Sequence, residues 1–324
     1  MVMNVPIRNE TATVNVIAKK KTAWLTYFRN TKLLYLMLLP GVVHLLLFKL
    51  APLFGLTIAF QDYSTFQGIL NSPWVGLKHF AKFIEDPYMF TLIRNTVLLA
   101  FFTLLFTFPI PILFALFLNE VRFAAIKRTV QSLSFFPYFI SSAVMVSVVY
   151  TLLSPQGGLV NQFLNWLGFE SIFFMAEPGW FRPLYVGLNI WQTFGYSSII
   201  YLAAMTAIDP SMYEAAEIDG ANRWQKIFSV TLPALTNIIV VMFIVSIGQI
   251  LTVDLDRILL LYNPSVYETA DVIQSYVYRL AFAPQGFPNY SFGAAVSLLQ
   301  SVIAFILVMT ANYASKKYSE TRLF

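Results

Sequence analysis

The chain has 324 residues, of which 58% are hydrophobic and only 11% are charged. Soluble domains carry about 25% charged residues, so this composition is typical of an integral membrane protein. The absence of cysteine excludes disulfides and thiolate metal sites, and two histidines, His44 and His79, cannot build a histidine-based metal centre. The net charge of +5 does not point to nucleic acid, and neither a metal site nor a nucleic-acid partner is expected.

Six apolar segments are long enough to cross a bilayer, since a spanning helix needs roughly 20 residues. The pattern predicts an all-α integral membrane protein with six transmembrane helices. Lys49 lies near the far end of the first segment, where a lysine can snorkel to the interface, and a role in a transport pathway is the alternative. The predicted spans cover about 33–60, 91–118, 129–153, 183–207, 231–251 and 291–313.

A short additional helix is predicted after the turn at 154–158. Apolar residues recur there at helical spacing, with amides on the other side, which is typical of a helix lying in the membrane interface. The apolar residues are Leu159, Phe163 and Trp166, and the amides are Asn161, Gln162 and Asn165.

The distribution of positive charge predicts the topology. Six spans place both termini on one side, and the larger share of the 21 lysines and arginines lies on that side. Cytoplasmic segments of membrane proteins carry this excess, so both termini are expected in the cytoplasm. The predicted organisation is a cytoplasmic tail over 1–31, a transmembrane region over 32–314 and a second cytoplasmic tail over 315–324.

The longest polar segment after the first tail lies at about 208–233, between the fourth and fifth spans. Residues 209–211 have the composition of a turn and helix N-cap. Glu214 is expected in the first helical turn, where the helix dipole favours negative charge. Gly220 is expected to break the helix or to allow close backbone approach. Such an insert is predicted to dock another protein, with an ordinary amphipathic surface loop as the alternative.

The insert resembles the EAA loop of ABC importer permeases, whose pattern is Glu-Ala-Ala, three residues, Gly, nine residues, Ile, one residue and Leu-Pro. Here the pattern starts at Glu214, passes Gly220 and ends at Leu232-Pro233, with Val230 in place of Ile. In that family the loop forms a short helix that inserts into a cleft of the ATPase subunit. The resemblance implies ATPase-coupling roles for Glu214, Ala215, Ala216, Asp219 and Gly220.

Other segments are similar to carbohydrate-importer permeases of the polysaccharide subgroup, among them 39–41, 74–80, 158–168 and 276–279. The resemblance implies the six-helix type I importer fold in the bacterial inner membrane. The implied cargo is an oligosaccharide or polysaccharide, with alginate as one candidate, moved by alternating access. The implied partners are a second, different permease subunit, two cytoplasmic ATPase subunits, a periplasmic substrate-binding protein and membrane lipid.

No catalytic constellation is visible in the sequence. There is no Gly-x-x-x-x-Gly-Lys-Ser/Thr segment, so ATP and Mg are expected in the partner ATPase and no cofactor in this chain. A membrane-bound enzyme would need a cluster of acids or histidines at one interface, and none is evident. A stand-alone secondary transporter is the remaining alternative, although carboxylates within the spans and an internal repeat would then be expected.

Polar and aromatic residues in the later spans are candidates for the saccharide pathway, because polar groups inside a membrane tend to face the protein interior or a water-filled cavity. Asn189, Gln192 and Tyr196 are three and four residues apart and are expected to share one helix face. Hydrogen bonding between helices is the alternative role. The further candidates are Asn237, Gln249, Asp254 and Asp256, together with Tyr278 and Arg279 in the last outer loop.

Overall fold

The computed structural model describes residues 31–249, 253–282 and 288–318. Residues 1–30 and 319–324, which belong to the two predicted tails, lie outside this part of the chain. Within it the regular structure is helical, and β pairing is confined to an isolated antiparallel bridge between Gln61 and Trp74. The predicted all-α class is therefore confirmed.

The described residues divide into two compact units between Thr57 and Ile58. Almost all of the first helix, α1, lies in the first unit, and the second unit contains the other helices. Those helices are α2 Lys78–Glu85, α3 Met89–Thr107, α4 Pro109–Asn119, α5 Ala124–Phe135, α6 Ser142–Leu153, α7 Leu159–Trp166, α8 Pro178–Thr206, α9 Pro210–Ile218, α10 Arg223–Gly248, α11 Leu255–Leu261, α12 Ile273–Phe282 and α13 Tyr290–Tyr318. Shorter turns cover Gly68–Asn71, Phe136–Phe139, Pro264–Val266 and Tyr267–Ala270.

Helix α1, Thr31–Phe60, changes its hydrogen bonding along its length. It is α-helical over 31–45, makes a π turn over Leu46–Leu50 and becomes a 3-10 helix over Ala51–Phe60. Pro52 accounts for this change, because proline has no N–H to donate and its ring crowds the carbonyl one turn back. The predicted first span thus forms one helix with an irregular second half.

Four helical segments of the described chain are long and apolar enough to cross a membrane, or five if the bent pair α5 and α6 is one span. The four are α1, the joined pair α3 and α4, α10 and the first 21 residues of α13. Helix α8 is long enough at 29 residues but is not among them, since polar side chains interrupt its apolar character. The protein therefore crosses the membrane several times, while length and hydropathy alone do not reproduce the predicted count of six.

The predicted third span, 129–153, is not one continuous helix. Helix α5 passes into a 3-10 turn over Phe136–Phe139, and α6 then leaves at an angle of 102°. Pro137 cannot continue the α-helical hydrogen bonding, and Ser141 caps the new helix by accepting a hydrogen bond from the Val144 N–H at 3.4 Å. The correction is a broken segment whose second half, α6, has a cap of its own.

Helix α8 organises the second unit because it contributes to two hydrophobic clusters. One cluster joins α8 to α3, α6 and α11 around Leu99 and Met145. The other joins α8 to α4 and α10 around Ala115 and Leu235. Packing along both ends of α8 fixes the positions of the polar residues that lie between the clusters.

Helix α7, Leu159–Trp166, has the bounds that the sequence suggests. Its apolar side chains are exposed, as expected of an interfacial helix. Asn161 is buried instead, and its amide binds the carbonyl oxygens of Leu153, Ser154 and Ile172 at 3.0 Å each. The buried amide ties the preceding turn and the following loop to the helix.

Candidate functional site

A cavity of about 580 Å³ opens beside α8. Residues four apart share one side of a helix, and α8 presents such a stripe of hydroxyls, an amide and two aromatic rings to the cavity. The stripe comprises Tyr185, Asn189, Thr193, Ser197 and Tyr201. The cavity is therefore lined by the polar part of a helix whose ends are packed in apolar clusters.

The facing walls come from α3, α4, α10 and the segment that follows α10. Thr103 and Thr107 of α3 line the cavity, and neither hydroxyl has a hydrogen-bond partner among the described residues. Ser246, Gln249 and Asp254 contribute further polar atoms. The two threonine hydroxyls, which lack a partner among the described residues, are suited to bind a polar cargo or water.

The structure separates the predicted pathway residues into two groups. Asn189, Gln249 and Asp254 line the cavity. Gln192 and Tyr196 lie beside this stripe on α8 and meet the broken segment instead. The Gln192 amide donates to the Ile140 carbonyl oxygen at 2.8 Å, and the Tyr196 ring stacks on Tyr138 with centroids 3.9 Å apart. Asn189, Gln192 and Tyr196 therefore do not share one environment, since the first lines the cavity and the other two contact the broken segment.

The remaining candidates lie outside the cavity lining. Asn237 on α10 and Asp256 at the start of α11 are exposed. Tyr278 on α12 is 40% exposed. Arg279 donates to the two carboxylate oxygens of Asp271, with Nη1 at 2.7 Å from Oδ1.

The Arg279–Asp271 pair belongs to a buried polar network. Asp271 is fully buried and also accepts hydrogen bonds from Tyr88 and Ser275 at 2.8 and 2.7 Å. Burial alone would lower the pKa of Arg279, but the hydrogen bonds and charge of Asp271 outweigh it and raise that pKa. Burial, with Asp271 as acceptor, raises the pKa of Tyr88 to about 12. The network ties α12 to the segment that enters α3.

Arg257 on α11 is a site residue that the sequence analysis missed. It is only 3% exposed, and its Nη2 lies 3.0 Å from Asp254 Oδ2 and also donates to Gln192 Oε1. Its guanidinium stands over the ring of Tyr185, 5.5 Å from the centroid. The i, i+3 spacing to Asp254 was the one signal in the sequence that could have pointed to it.

The insert forms α9, Pro210–Ile218, as a helix with a defined start and stop. Asp209 caps the start, because its Oδ1 accepts a hydrogen bond from the Ser211 N–H at 2.9 Å. Gly220 has a φ of +76° and ends the helix, with its own N–H and that of Ala221 donating back to Glu217 and Ala216. This arrangement is a Schellman motif, and it confirms the predicted helix break.

One expectation for the insert is wrong. Glu214 is the fifth residue of α9, so it lies in the second turn rather than the first. Its distance from the helix N-terminus removes most of the expected dipole stabilisation, which falls off within the first turn. Among the predicted coupling residues, Glu214, Ala215, Asp219 and Gly220 are exposed and Ala216 is half-buried.

Two contacts hold the insert against the start of α10. The Tyr213 hydroxyl lies 3.0 Å from the Thr231 hydroxyl. The Lys226 amine donates to the Glu217 carboxylate, and this hydrogen bond lowers the pKa of Glu217. Ile218 remains 87% exposed at the end of the helix. The insert therefore presents a stable, partly apolar surface away from the helices that it joins.

A chain whose described residues are helical, cross the membrane several times and border an open cavity with polar side chains has the features of a membrane transport protein. The model of the family described as "Binding-protein-dependent transport system inner membrane component" matches residues 91–323. The chain belongs to this family and is the permease component of a binding-protein-dependent ABC importer.

Individual relatives and solved structures agree with this assignment. The chain is 44% identical to the polygalacturonan/rhamnogalacturonan transport system permease protein YteP of Bacillus subtilis, over 94% of each chain. It is 39% identical to protein LplB of the same organism, over 95% of this chain and 96% of that protein. A crystal structure of a bacterial ABC transporter involved in the import of the acidic polysaccharide alginate matches with a TM-score of 0.83 and 39% identity, over 91% of this chain and 99% of that one.

Proposed function

We propose that the protein imports an oligosaccharide of an acidic polysaccharide, one built from uronate sugars such as those of polygalacturonan or alginate. The observation that carries this proposal is the similarity, over more than nine tenths of the chain, to a polygalacturonan permease and to an alginate importer. A cavity lined in part by hydroxyls, amides and tyrosine rings suits such a cargo, since sugars offer many hydroxyls and flat faces.

The proposed architecture has six membrane-spanning segments with both termini in the cytoplasm. Helix α8 and the broken pair α5 and α6 would then cross the membrane in addition to the four apolar segments. The cytoplasmic tails would cover 1–31 and 315–324, the transmembrane region 32–314, and the coupling loop about 208–233. Support comes from the excess of lysine and arginine in the segments that this topology assigns to the cytoplasm.

Coupling to ATP hydrolysis would run through α9. In this proposal Glu214, Ala215 and Ala216, with Asp219 and Gly220 at the helix end, enter a cleft of a separate ATPase subunit. Exposure of this helix and of Ile218 supports the role, because a docking element must leave its contact surface free. The chain itself would carry out no catalysis, and ATP and Mg would bind to the ATPase.

The complete importer would contain a second permease subunit, two ATPase subunits and a periplasmic binding protein. One of the similar structures is an alginate ABC transporter in complex with an alginate pentasaccharide-bound periplasmic protein, with 38% identity and a TM-score of 0.84 over 92% of this chain. We assign saccharide contacts to Asn189, Gln249 and Asp254, which line the cavity. Gln192 and Tyr196 would support the broken segment. Asn237, Asp256, Tyr278 and Arg279 would contact partners or stabilise the fold.

The test is uptake into proteoliposomes that contain the complex purified with this chain from its host. Labelled galacturonan and alginate pentasaccharides, loaded on the cognate binding protein, should accumulate only with ATP inside the vesicles. Maltopentaose of equal length is the neutral control. Uptake of an uronate oligomer without ATP or partner subunits would support a secondary transporter instead, and ATP-driven uptake restricted to neutral oligomers would overturn the proposed cargo.

A further inference from the structure

We propose that Arg257 recognises the carboxylate of the saccharide in the cavity and thereby makes the permease selective for acidic sugars. The proposal rests on the proposed function, because it requires a cargo that carries carboxylates. It goes beyond that function by assigning charge selection to the permease itself and to one side chain.

The burial of Arg257 demands an explanation. Its side chain is 4% exposed, and a guanidinium does not lose its charge in proteins. Removing such a charge from water costs several kcal/mol unless excellent geometry and hydrogen bonds offset the loss. A functional role therefore explains a buried arginine next to a cavity better than stabilisation of the fold does.

The hydrogen bonding of Arg257 is incomplete within the protein. Its Nη2 serves Gln192 and Asp254, but its Nη1 is buried and has no hydrogen-bond partner among the described residues. A hydrogen bond from Nη1 to a carboxylate would be charge-assisted, and such bonds are stronger than those between neutral groups. Protein partners therefore hold the guanidinium at Nη2, and Nη1 is left to donate to another carboxylate.

Arg257 does not itself line the cavity but contacts two residues that do. Asp254 and Tyr185, which contact its guanidinium, both line the cavity. Among the described lining residues, Asp254 alone carries a charge, and that charge is negative. Without Arg257, an acidic saccharide would meet a repelling carboxylate. With it, the charge of Asp254 is neutralised, and Nη1 is left to donate to a further carboxylate.

Other cations of the second unit are less suited to this role. Arg279 uses two of its nitrogens on Asp271, and Lys78 is paired with Asp62 at 2.6 Å. Arg182 donates to the Asn95 side chain at 2.9 Å and contacts no ion-pair partner in the described chain. None of these residues lines the cavity or forms an ion pair with a residue that does.

The test measures how the permease discriminates between a charged and a neutral cargo. The readout is ATPase stimulation of the reconstituted complex by saturating binding protein loaded with galacturonan pentasaccharide, divided by the stimulation with its carboxyl-reduced form. Saturation removes the selectivity of the binding protein itself from the ratio. A charge-assisted contact is worth about tenfold or more, so the wild-type ratio should reach roughly that value.

The variants separate charge recognition from support of the fold. Arg257→Gln should bring the ratio to one or below, because the charge of Asp254 is then uncompensated, while activity with the neutral cargo remains. Arg257→Lys should give an intermediate ratio because it keeps the charge but not the position of the donor. Asp254→Asn should keep or raise the ratio, since it removes a competing anion. Arg182→Gln is the matched control and should leave the ratio unchanged.

The proposal is overturned if Arg257→Gln keeps the wild-type ratio, or if the wild type transports both cargoes with a ratio near one. If Arg257→Gln does not assemble with the ATPase, Arg257→Gln combined with Asp254→Asn, which leaves neither charge of the pair, decides in the same way. If neither cargo stimulates the wild type but another saccharide does, the proposed cargo class fails, and charge recognition by Arg257 fails with it.

Discussion

Gly195 of α8 lies against the carbonyl oxygen of Ser134 in α5, so closely that a Cβ atom at Gly195 would stand 2.0 Å from that oxygen. Atoms that are not bonded to each other do not approach to this distance, so the two helices can pack in this way only because residue 195 has no side chain. This contact places α5 beside α8 just before the broken segment turns away.

Gly195→Ala should therefore separate α5 from α8. Overpacking of this kind costs roughly 1–3 kcal/mol, and the melting temperature of the detergent-solubilised protein should fall. Gly187 is the matched control, because it lies in the same helix and a Cβ there meets nothing within 4 Å. Gly187→Ala should be neutral or slightly stabilising. Equal melting temperatures for both variants would contradict the close approach.

Gly220→Ala should weaken ATPase coupling through backbone conformation rather than through a clash. A Cβ at this position meets nothing within 4 Å, but its φ of +76° disfavours any residue with a side chain by about 1–2 kcal/mol. Asparagine tolerates this conformation better, so Gly220→Asn should retain more cargo-stimulated ATPase activity than Gly220→Ala. The reverse order would show that the left-handed turn does not limit coupling.

Asn161→Ala should loosen the loop between α6 and α8. The buried amide satisfies the carbonyl oxygens of Leu153, Ser154 and Ile172, and leaving such groups unpaired costs about 1–3 kcal/mol. Hydrogen exchange over 154–177 should rise in this variant. Gln162→Ala is the control: it removes an exposed amide that donates to a single carbonyl oxygen, that of Gly157, and should change exchange much less. Faster exchange in both variants would indicate a general effect of helix truncation.

Asp271→Asn should destabilise the protein more than Asp271→Asn combined with Arg279→Gln. The single change leaves a half-buried guanidinium without its carboxylate, and breaking a buried pair costs about 3–5 kcal/mol, with the lower end expected here because Arg279 is partly exposed. Removing both charges avoids that penalty. Thermal unfolding of the two single variants and the double variant measures the coupling, and strictly additive effects would argue against an ion pair.

Stability should fall in alkaline solution as Tyr88, whose hydroxyl donates to Asp271, and Tyr276, whose hydroxyl donates to Asp86, ionise. Burial raises the pKa values of Tyr88 and Tyr276 from 10.0 to about 12, so each stays neutral in the folded state after it would ionise in the unfolded one. Their contribution is complete below pH 10 and is lost between pH 10 and pH 12. Tyr88→Phe and Tyr276→Phe should flatten the decline in melting temperature over that range. If the melting temperature of both variants falls with pH as steeply as that of the wild type, other groups cause the alkaline sensitivity.

Local features of this chain were accessible from the sequence because they depend on neighbouring residues. Apolar length predicted α1, the joined pair α3 and α4, α10 and α13, and the cap at Asp209 and stop at Gly220 predicted α9. Within the third predicted span, Pro137 was visible, but its consequence was not. A proline can bend a helix slightly or end it, and the contacts of Gln192 with Ile140 belong to the arrangement that sets the 102° turn.

The sequence by itself determined that the protein is helical, membrane-embedded and equipped with a polar insert, because composition, hydropathy and capping act over a few residues. Only the tertiary structure decided which polar residues meet in the cavity. Asn189 lines the cavity and Gln192 does not, since the rotation of α8 is set by packing against five other helices. Arg257 belongs to the site for the same reason. Folding brings it into contact with Gln192, 65 positions away in the chain, and no local sequence pattern predicts that contact.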